Sequence, residues 1–163
     1  MNFISIHNKI KGSVSEDWLT DSQKNILTNI LDNKIHDLIN VYGPDGVGKT
    51  FLGWALQKRN YATYFSDIEN VIEGCHIAVI DNGNSSFEEY KTILKIMELK
   101  RIKRVIYLSR NKLDAKVYSL NLALTATDIE KVVKNINSVG LNIYDLDCDN
   151  LWVLIFKKCR CYI

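Results

Sequence analysis

The sequence predicts an α/β fold with a mostly parallel, five-stranded sheet. Three observations carry that expectation. Apolar runs alternate with helical patterns from about residue 38 onward. Several runs are continuously apolar, as in strands covered on both faces. The only proline, Pro44, and three of the eight glycines (Gly43, Gly46, Gly48) crowd into one turn after the first run.

Strands are expected at Asp37–Tyr42, Tyr61–Ser66, His76–Ile80, Arg104–Leu108 and Leu151–Phe156. Leu141–Leu146 reads as an extra strand or a C-terminal hairpin arm. Helices fit between them. Gln23–Leu31 presents Ile26, Leu27, Ile30 and Leu31 on one side, and Ser86–Lys100 presents Phe87, Tyr90, Leu94 and Met97. Asp128–Asn137 carries Ile129, Val132, Val133 and Ile136 at helical spacing, and Phe51–Lys58 is compatible with a helix. Thr20-x-x-Gln23, Ser85-x-x-Glu88 and Thr127-x-x-Glu130 read as capping boxes.

At 163 residues the chain fits one domain: an N-terminal helical segment over 1–36 and a core over 37–163. With 47% hydrophobic and 25% charged residues it is neither disordered nor fibrous. No apolar run approaches the ~20 residues of a membrane span, and the N-terminus lacks the apolar core of a signal peptide. A net charge of +2 does not by itself argue for nucleic acid. Four cysteines are few for a disulfide scaffold, so a cytoplasmic setting is expected. Cys148, Cys159 and Cys161 lack the paired spacing of a zinc site.

Gly43-Pro44-Asp45-Gly46-Val47-Gly48-Lys49-Thr50 matches G-x-x-x-x-G-K-[ST] at every fixed position, between a strand and a helix. Such glycines let successive amides turn inward on a polyphosphate, and the helix N-terminus after Gly48 adds a partial positive charge. Lys49 then reaches the β- and γ-phosphates of ATP, and the Thr50 hydroxyl binds Mg²⁺. Asp81 ends the apolar run His76–Ile80 at the sheet edge where ligands bind, and is either a Mg²⁺ residue or the start of an Asp81-Asn82-Gly83 turn. Ser109 or Asn111, after the next strand, could sense a γ-phosphate, and Arg110 is either a phosphate contact or a solvated charge. Gln23 is either a cap or a reader of the adenine edge. The basic groups Lys100-Arg101-Lys103-Arg104 and Lys157-Lys158-Arg160 read first as solvated charge.

Gly43–Leu56 (GPDGVGKTFLGWAL) resembles the phosphate loop and following helix of the AAA+ helicase-loader and replication-initiator ATPases. The resemblance covers roughly residues 20–112. It implies a three-layer P-loop NTPase sandwich with strand order 5-1-4-3-2, and Lys49, Asp81, Asn82, Ser109 and Arg110 as the catalytic set. It also implies an ATPase subunit of a larger assembly, with DNA as a candidate target. Three departures matter. Asn82 stands where the class carries a water-polarising glutamate, no arginine finger can be assigned, and the expected strand at Leu151–Phe156 leaves no room for a helical lid. Weak intrinsic hydrolysis is therefore expected, with a protein partner or second copy closing the site. A nucleotide-gated binding module is the alternative. The loop also resembles that of thymidylate kinases, but their Asp-Arg pair and arginine-rich lid have no counterpart here.

Overall fold

The computed structural model describes residues 3–140 and 150–153. Its elements are α1 (Phe3–Gly12), a 3₁₀ turn (Glu16–Trp18), α2 (Asp21–Asp32), β1 (Leu38–Tyr42), α3 (Lys49–Lys58), β2 (Thr63–Phe65) and β3 (Ile77–Gly83). They continue through α4 (Phe87–Leu99), β4 (Arg104–Ser109), β5 (Tyr118–Asn121) and α5 (Ala126–Ser138). The five strands form one sheet in the order β2-β3-β4-β1-β5, and every pairing is parallel. That is the expected 5-1-4-3-2 order.

Period-two alternation divides the core. Ile39, Val41, Val79, Ile106 and Leu108 face one side, where α2 and α3 bring Ile26, Leu27, Ile30, Leu52 and Leu56. Leu38, Ala78, Ile80, Val105 and Tyr107 face the other, against Ile93 of α4, Ile102 and Leu113. The result is helix–sheet–helix layering around an apolar sheet. A third cluster joins Ile6 and Ile10 of α1 to Val133 and Ile136 of α5. No helix among the described residues is long and apolar enough to cross a membrane.

Several expectations need correction. Residues 151–153 are helical where the strand expected over Leu151–Phe156 would start, and 154–156 lie outside the described residues; among the described residues the fifth strand is Tyr118–Asn121, an edge strand whose partner is β1. A helix, α5, follows β5. The Leu141–Leu146 arm, Cys148, Cys159, Cys161 and the Lys157-Lys158-Arg160 group lie outside the described residues.

The Thr20–Gln23 capping box is present with both arms. The other two shift by one or two residues. α4 is capped by Ser86, which accepts from the Glu89 amide, and α5 by a box of Thr125 with Asp128. Ser85 is instead left-handed at φ 67°, and its hydroxyl donates to the Asn111 carbonyl at 2.7 Å. The basic group at the amino end of β4 is partly structural: Arg104 donates to the Asn33 carbonyl at 2.8 Å and the Tyr61 hydroxyl at 3.0 Å.

Asp128 ties two helix starts together. Its carboxylate accepts from the Thr125 amide of α5 at 2.9 Å, and from the Ser22 hydroxyl and amide of α2 at 2.6 and 3.3 Å. Burial opposes its ionisation, but these hydrogen bonds outweigh burial and hold its pKa below the ordinary carboxylate value. A depressed folded-state pKa gives stability that is present above the unfolded value of about 3.9 and is lost as pH falls through the folded one. Asp128→Asn should therefore cost about 1–3 kcal/mol at pH 7, and the gap from wild type should narrow below about pH 4. Denaturant unfolding across pH tests this; a gap that does not change with pH would refute it.

Candidate functional site

β1 ends at the carboxyl edge of the sheet, and the Gly43 amide bonds the Ser109 carbonyl of β4 at 3.2 Å. The chain then turns through two left-handed glycines, Gly46 at φ 82° and Gly48 at φ 92°, into α3. A side chain at either position is strained by the backbone and must displace a neighbour. A Cβ on Gly46 would lie 2.0 Å from Asn150 Oδ1, and one on Gly48 would lie 2.4 Å from Gln23 Nε2. Gln23 explains the second contact. Its Nε2 donates to the Gly48 carbonyl at 3.0 Å while its Oε1 accepts from the Thr20 amide at 2.9 Å, so the start of α2 is tied to the loop. Its carboxamide serves the cap and the loop together.

Among the described residues, no acceptor takes the amides of Gly46, Val47, Gly48 or Lys49. They are the orphan donors of a helix start, gathered on one turn. Lys49 Nζ folds onto the Gly43 and Pro44 carbonyls at 2.6 and 2.8 Å. Burial lowers its pKa, and the charges of Asp45 and Asp81 partly offset that.

Asp81 is 2% exposed and lies within β3 rather than opening a turn. Its Oδ2 accepts from the Thr50 hydroxyl at 2.6 Å and from the Tyr64 hydroxyl at 2.7 Å, and its Oδ1 accepts from the Asn82 amide at 2.8 Å. Burial, then the Asp81 charge, pushes the Tyr64 phenol far above its ordinary range, so it remains a donor. The strand bulges between Ile80 and Gly83, where Asn82 is left-handed at φ 56°. The Asn82 carboxamide donates to the Ser66 carbonyl at the end of β2, at 2.7 Å.

Ser109 is buried, and its hydroxyl is already engaged. It donates to the Asn111 carbonyl at 2.7 Å and accepts from Asn40 Nδ2 at 2.8 Å. Arg110 lies 3.5 Å from Asp45, both side chains being well exposed. Glu88 pairs with Lys91 at 3.0 Å, and Glu89 accepts from the Asn84 amide at 2.6 Å and from the Tyr107 hydroxyl.

One cavity of about 390 Å³ joins these groups. Asp45, Gly46, Gly48, Lys49, Thr50, Asp81, Asn82, Ser109 and Arg110 line its polar end; Asn111, Glu88 and Glu89 do not line it. Pro44 is exposed and Val47 buried, beside it in the loop. The other end is apolar and was not legible in the sequence. It consists of Ile10, Trp18, Phe51, Trp54, Val132, Ile136, Leu151 and Trp152. α1, the 3₁₀ turn, α3, α5 and residues 151–153 thus meet over the loop, where the Leu151 amide donates to the Gly46 carbonyl at 3.0 Å. Trp18 stacks near Phe51, and His7 lies between Trp54 and Trp152 at ring distances of 5.1 and 6.1 Å. A cavity of this volume, apolar at one end and polar at the other, suits a small organic phosphate.

No protein-family model matches the sequence, and no curated protein matches it. Solved structures do. A DNA replication initiation factor superposes with a TM-score of 0.59 at 17% identity over 85% of this chain. AMPPCP-bound DnaA from Aquifex aeolicus superposes with a TM-score of 0.60 at 16% identity over 93% of this chain. The chain has a P-loop, AAA+-like fold. It spans 60% and 66% of the lengths of those two chains.

Gly48 gives the site its most direct mechanical test. Gly48→Ala places an L-residue at φ 92° and displaces Gln23. Left-handed backbone alone costs about 1–2 kcal/mol, or roughly 2–8 °C of melting temperature at this chain length. Calorimetric melting at the wild-type temperature would contradict the described loop.

Proposed function

We propose that this chain binds Mg²⁺–ATP and turns it over slowly. The observation that supports this best is the juxtaposition of four unaccepted loop amides with the buried Thr50–Asp81 pair in one cavity. The amides of Gly46–Lys49 take phosphate oxygens, and Lys49 supplies a compact positive charge beside them. A hydroxyl and a carboxylate 2.6 Å apart form a hard-oxygen donor set of the kind Mg²⁺ prefers, so Thr50 and Asp81 fit that ion. When bound, Mg²⁺ neutralises phosphate charge. The aromatic end of the cavity takes the base and excludes water around it.

Slow turnover follows from the lining. Its carboxylates, among the described residues, are Asp45, beside Arg110, and Asp81, held by Thr50 and Tyr64. Asn82 cannot take a proton, and its Nδ2 is bonded to Ser66. This favours a nucleotide-gated module over a fast ATPase as the second reading. Arg110, exposed at the polar end, is placed to meet phosphate in this chain or to answer a partner copy. The initiator-like fold supports a DNA-acting assembly as the setting. Protein mass measured with and without ATP would report nucleotide and assembly together.

Lys49→Ala should weaken ATP binding about 10- to 100-fold by calorimetry, the worth of one or two charge-assisted hydrogen bonds, with the fold intact. Equal affinity would sink the nucleotide reading. The isolated chain should hydrolyse ATP far below the ~1–10² s⁻¹ typical of kinases. Phosphate release at several per second would place a base outside the described lining and overturn the slow-turnover reading alone.

A further inference from the structure

Tyr64 has no place in the phosphate-loop motif, yet it meets the buried carboxylate at the centre of the polar end. It projects from the middle of β2, and its hydroxyl donates to Asp81 Oδ2 at 2.7 Å. That oxygen also receives the Thr50 hydroxyl at 2.6 Å. A carboxylate offers about four lone-pair directions, and the Asn82 amide takes a third at 2.8 Å. The carboxylate is therefore pinned through both oxygens, with one direction left for a further donor or cation.

The surrounding packing is built to hold the phenol there. Gly53 of α3 leaves room for the ring: a Cβ at that position would lie 2.9 and 3.0 Å from the Tyr64 ring carbons. Gly53 lies within the α3 helix, where glycine is unfavourable by ~1 kcal/mol relative to alanine, so its presence reflects this close approach. The Trp54 ring, which lines the cavity, stands 6.3 Å from the Tyr64 ring in an edge arrangement.

We propose that Tyr64 is a positioning residue for divalent-cation binding: its hydroxyl fixes Asp81 so that the carboxylate's remaining lone pair is available to Mg²⁺ or to a water that Mg²⁺ carries. The inference rests on the Mg²⁺–ATP reading of the site. Thr50 can serve the ion through its oxygen while its proton stays on Asp81, and Tyr64 keeps Asp81 from turning when Thr50 does so. Hydrogen-bonding partners of metal ligands typically change metal affinity 10- to 100-fold when removed.

Tyr64→Phe deletes only the hydroxyl and keeps the ring against Gly53. ATP affinity should be measured by calorimetry in Mg²⁺ and in EDTA for wild type, Tyr64→Phe, Asp81→Asn and the double variant. Mn²⁺ binding to the nucleotide complexes, followed by electron paramagnetic resonance, gives a readout independent of turnover. Tyr64→Phe should lose about 10- to 100-fold in Mn²⁺ affinity and in the Mg²⁺-dependent gain for ATP, and nothing in EDTA. The double variant should be no worse than Asp81→Asn, because Tyr64 acts through that carboxylate. Gly53→Ala, which displaces the ring, should reproduce the metal-dependent loss. Equal losses in Mg²⁺ and EDTA, additive losses in the double variant, or wild-type behaviour of Tyr64→Phe would each overturn the proposal while leaving the nucleotide reading standing. A wild type with no Mg²⁺-dependent affinity would overturn both.

Discussion

The turn from β1 into α3 is made through left-handed backbone at Gly46 and Gly48, and the rest of the site depends on it. Those two residues aim the first turn of α3 at the carboxyl edge of the sheet. Thr50 then reaches Asp81 on β3, two strands away from β1 in the sheet. The same turn leaves a run of amides with no acceptor among the described residues, in a place where the α3 dipole favours an anion. Gln23 and the Leu151 amide brace the turn from opposite ends of the chain, through the Gly48 and Gly46 carbonyls. A loop braced in this way is set before any ligand arrives, which reduces the ordering that binding would otherwise require.

Buried polar groups do the remaining positioning, and each is satisfied. No buried side-chain nitrogen or oxygen among the described residues lacks a partner. Asn40, in the middle of β1, donates to the Tyr107 carbonyl and the Ser109 hydroxyl and accepts from the Leu113 amide at 2.9 Å. It thereby fixes the segment after β4 that carries Arg110. Asp128 does the same for α5, holding it against α2 so that Val132 and Ile136 wall the cavity. Removing one member of such a set strands its partners in a low-dielectric interior, which is why these positions tolerate change poorly.

The central strands were legible in the sequence because burial on both faces leaves continuous apolar runs. β1, β3 and β4 are of that kind. β5 was missed because an edge strand with half-buried residues, Tyr-Ser-Leu-Asn, carries no such run. The apolar stretch from Leu151 took its place in the reading for a sound reason applied to the wrong element: Leu151 and Trp152 are apolar because they line the cavity. The misplaced caps have a similar origin. Two hydroxyls precede α4 (Ser85, Ser86), and two threonines flank the start of α5 (Thr125, Thr127). Backbone dihedrals choose the extended one in each case, Ser86 at ψ 157° and Thr125 at ψ 166°. The phosphate loop was legible because its residues do local work. Tyr64 was not, because a tyrosine in a strand is ordinary β composition until the fold brings it to Asp81.

Strained backbone lies beside the acidic edge. Asn82 and Ser85 are both left-handed, at φ 56° and 67°, and bracket the turn from β3 into α4. Such residues cost about 1–3 kcal/mol each and persist only where their surroundings fix them. Here the Asn82 side chain holds Ser66, the Ser85 amide bonds the Tyr107 hydroxyl at 3.0 Å, and Tyr107 in turn donates to Glu89. Asparagine tolerates this conformation better than glutamate does. Its amide proton also suits the Ser66 carbonyl, which a carboxylate would repel. Asn82 is thus matched to its backbone and to its partner. The Asn82 carboxamide is an anchor, tying the end of β2 to the bulge that presents Asp81. Tyr64 approaches that carboxylate from the same strand, so β2 holds two adjacent residues of the bulge.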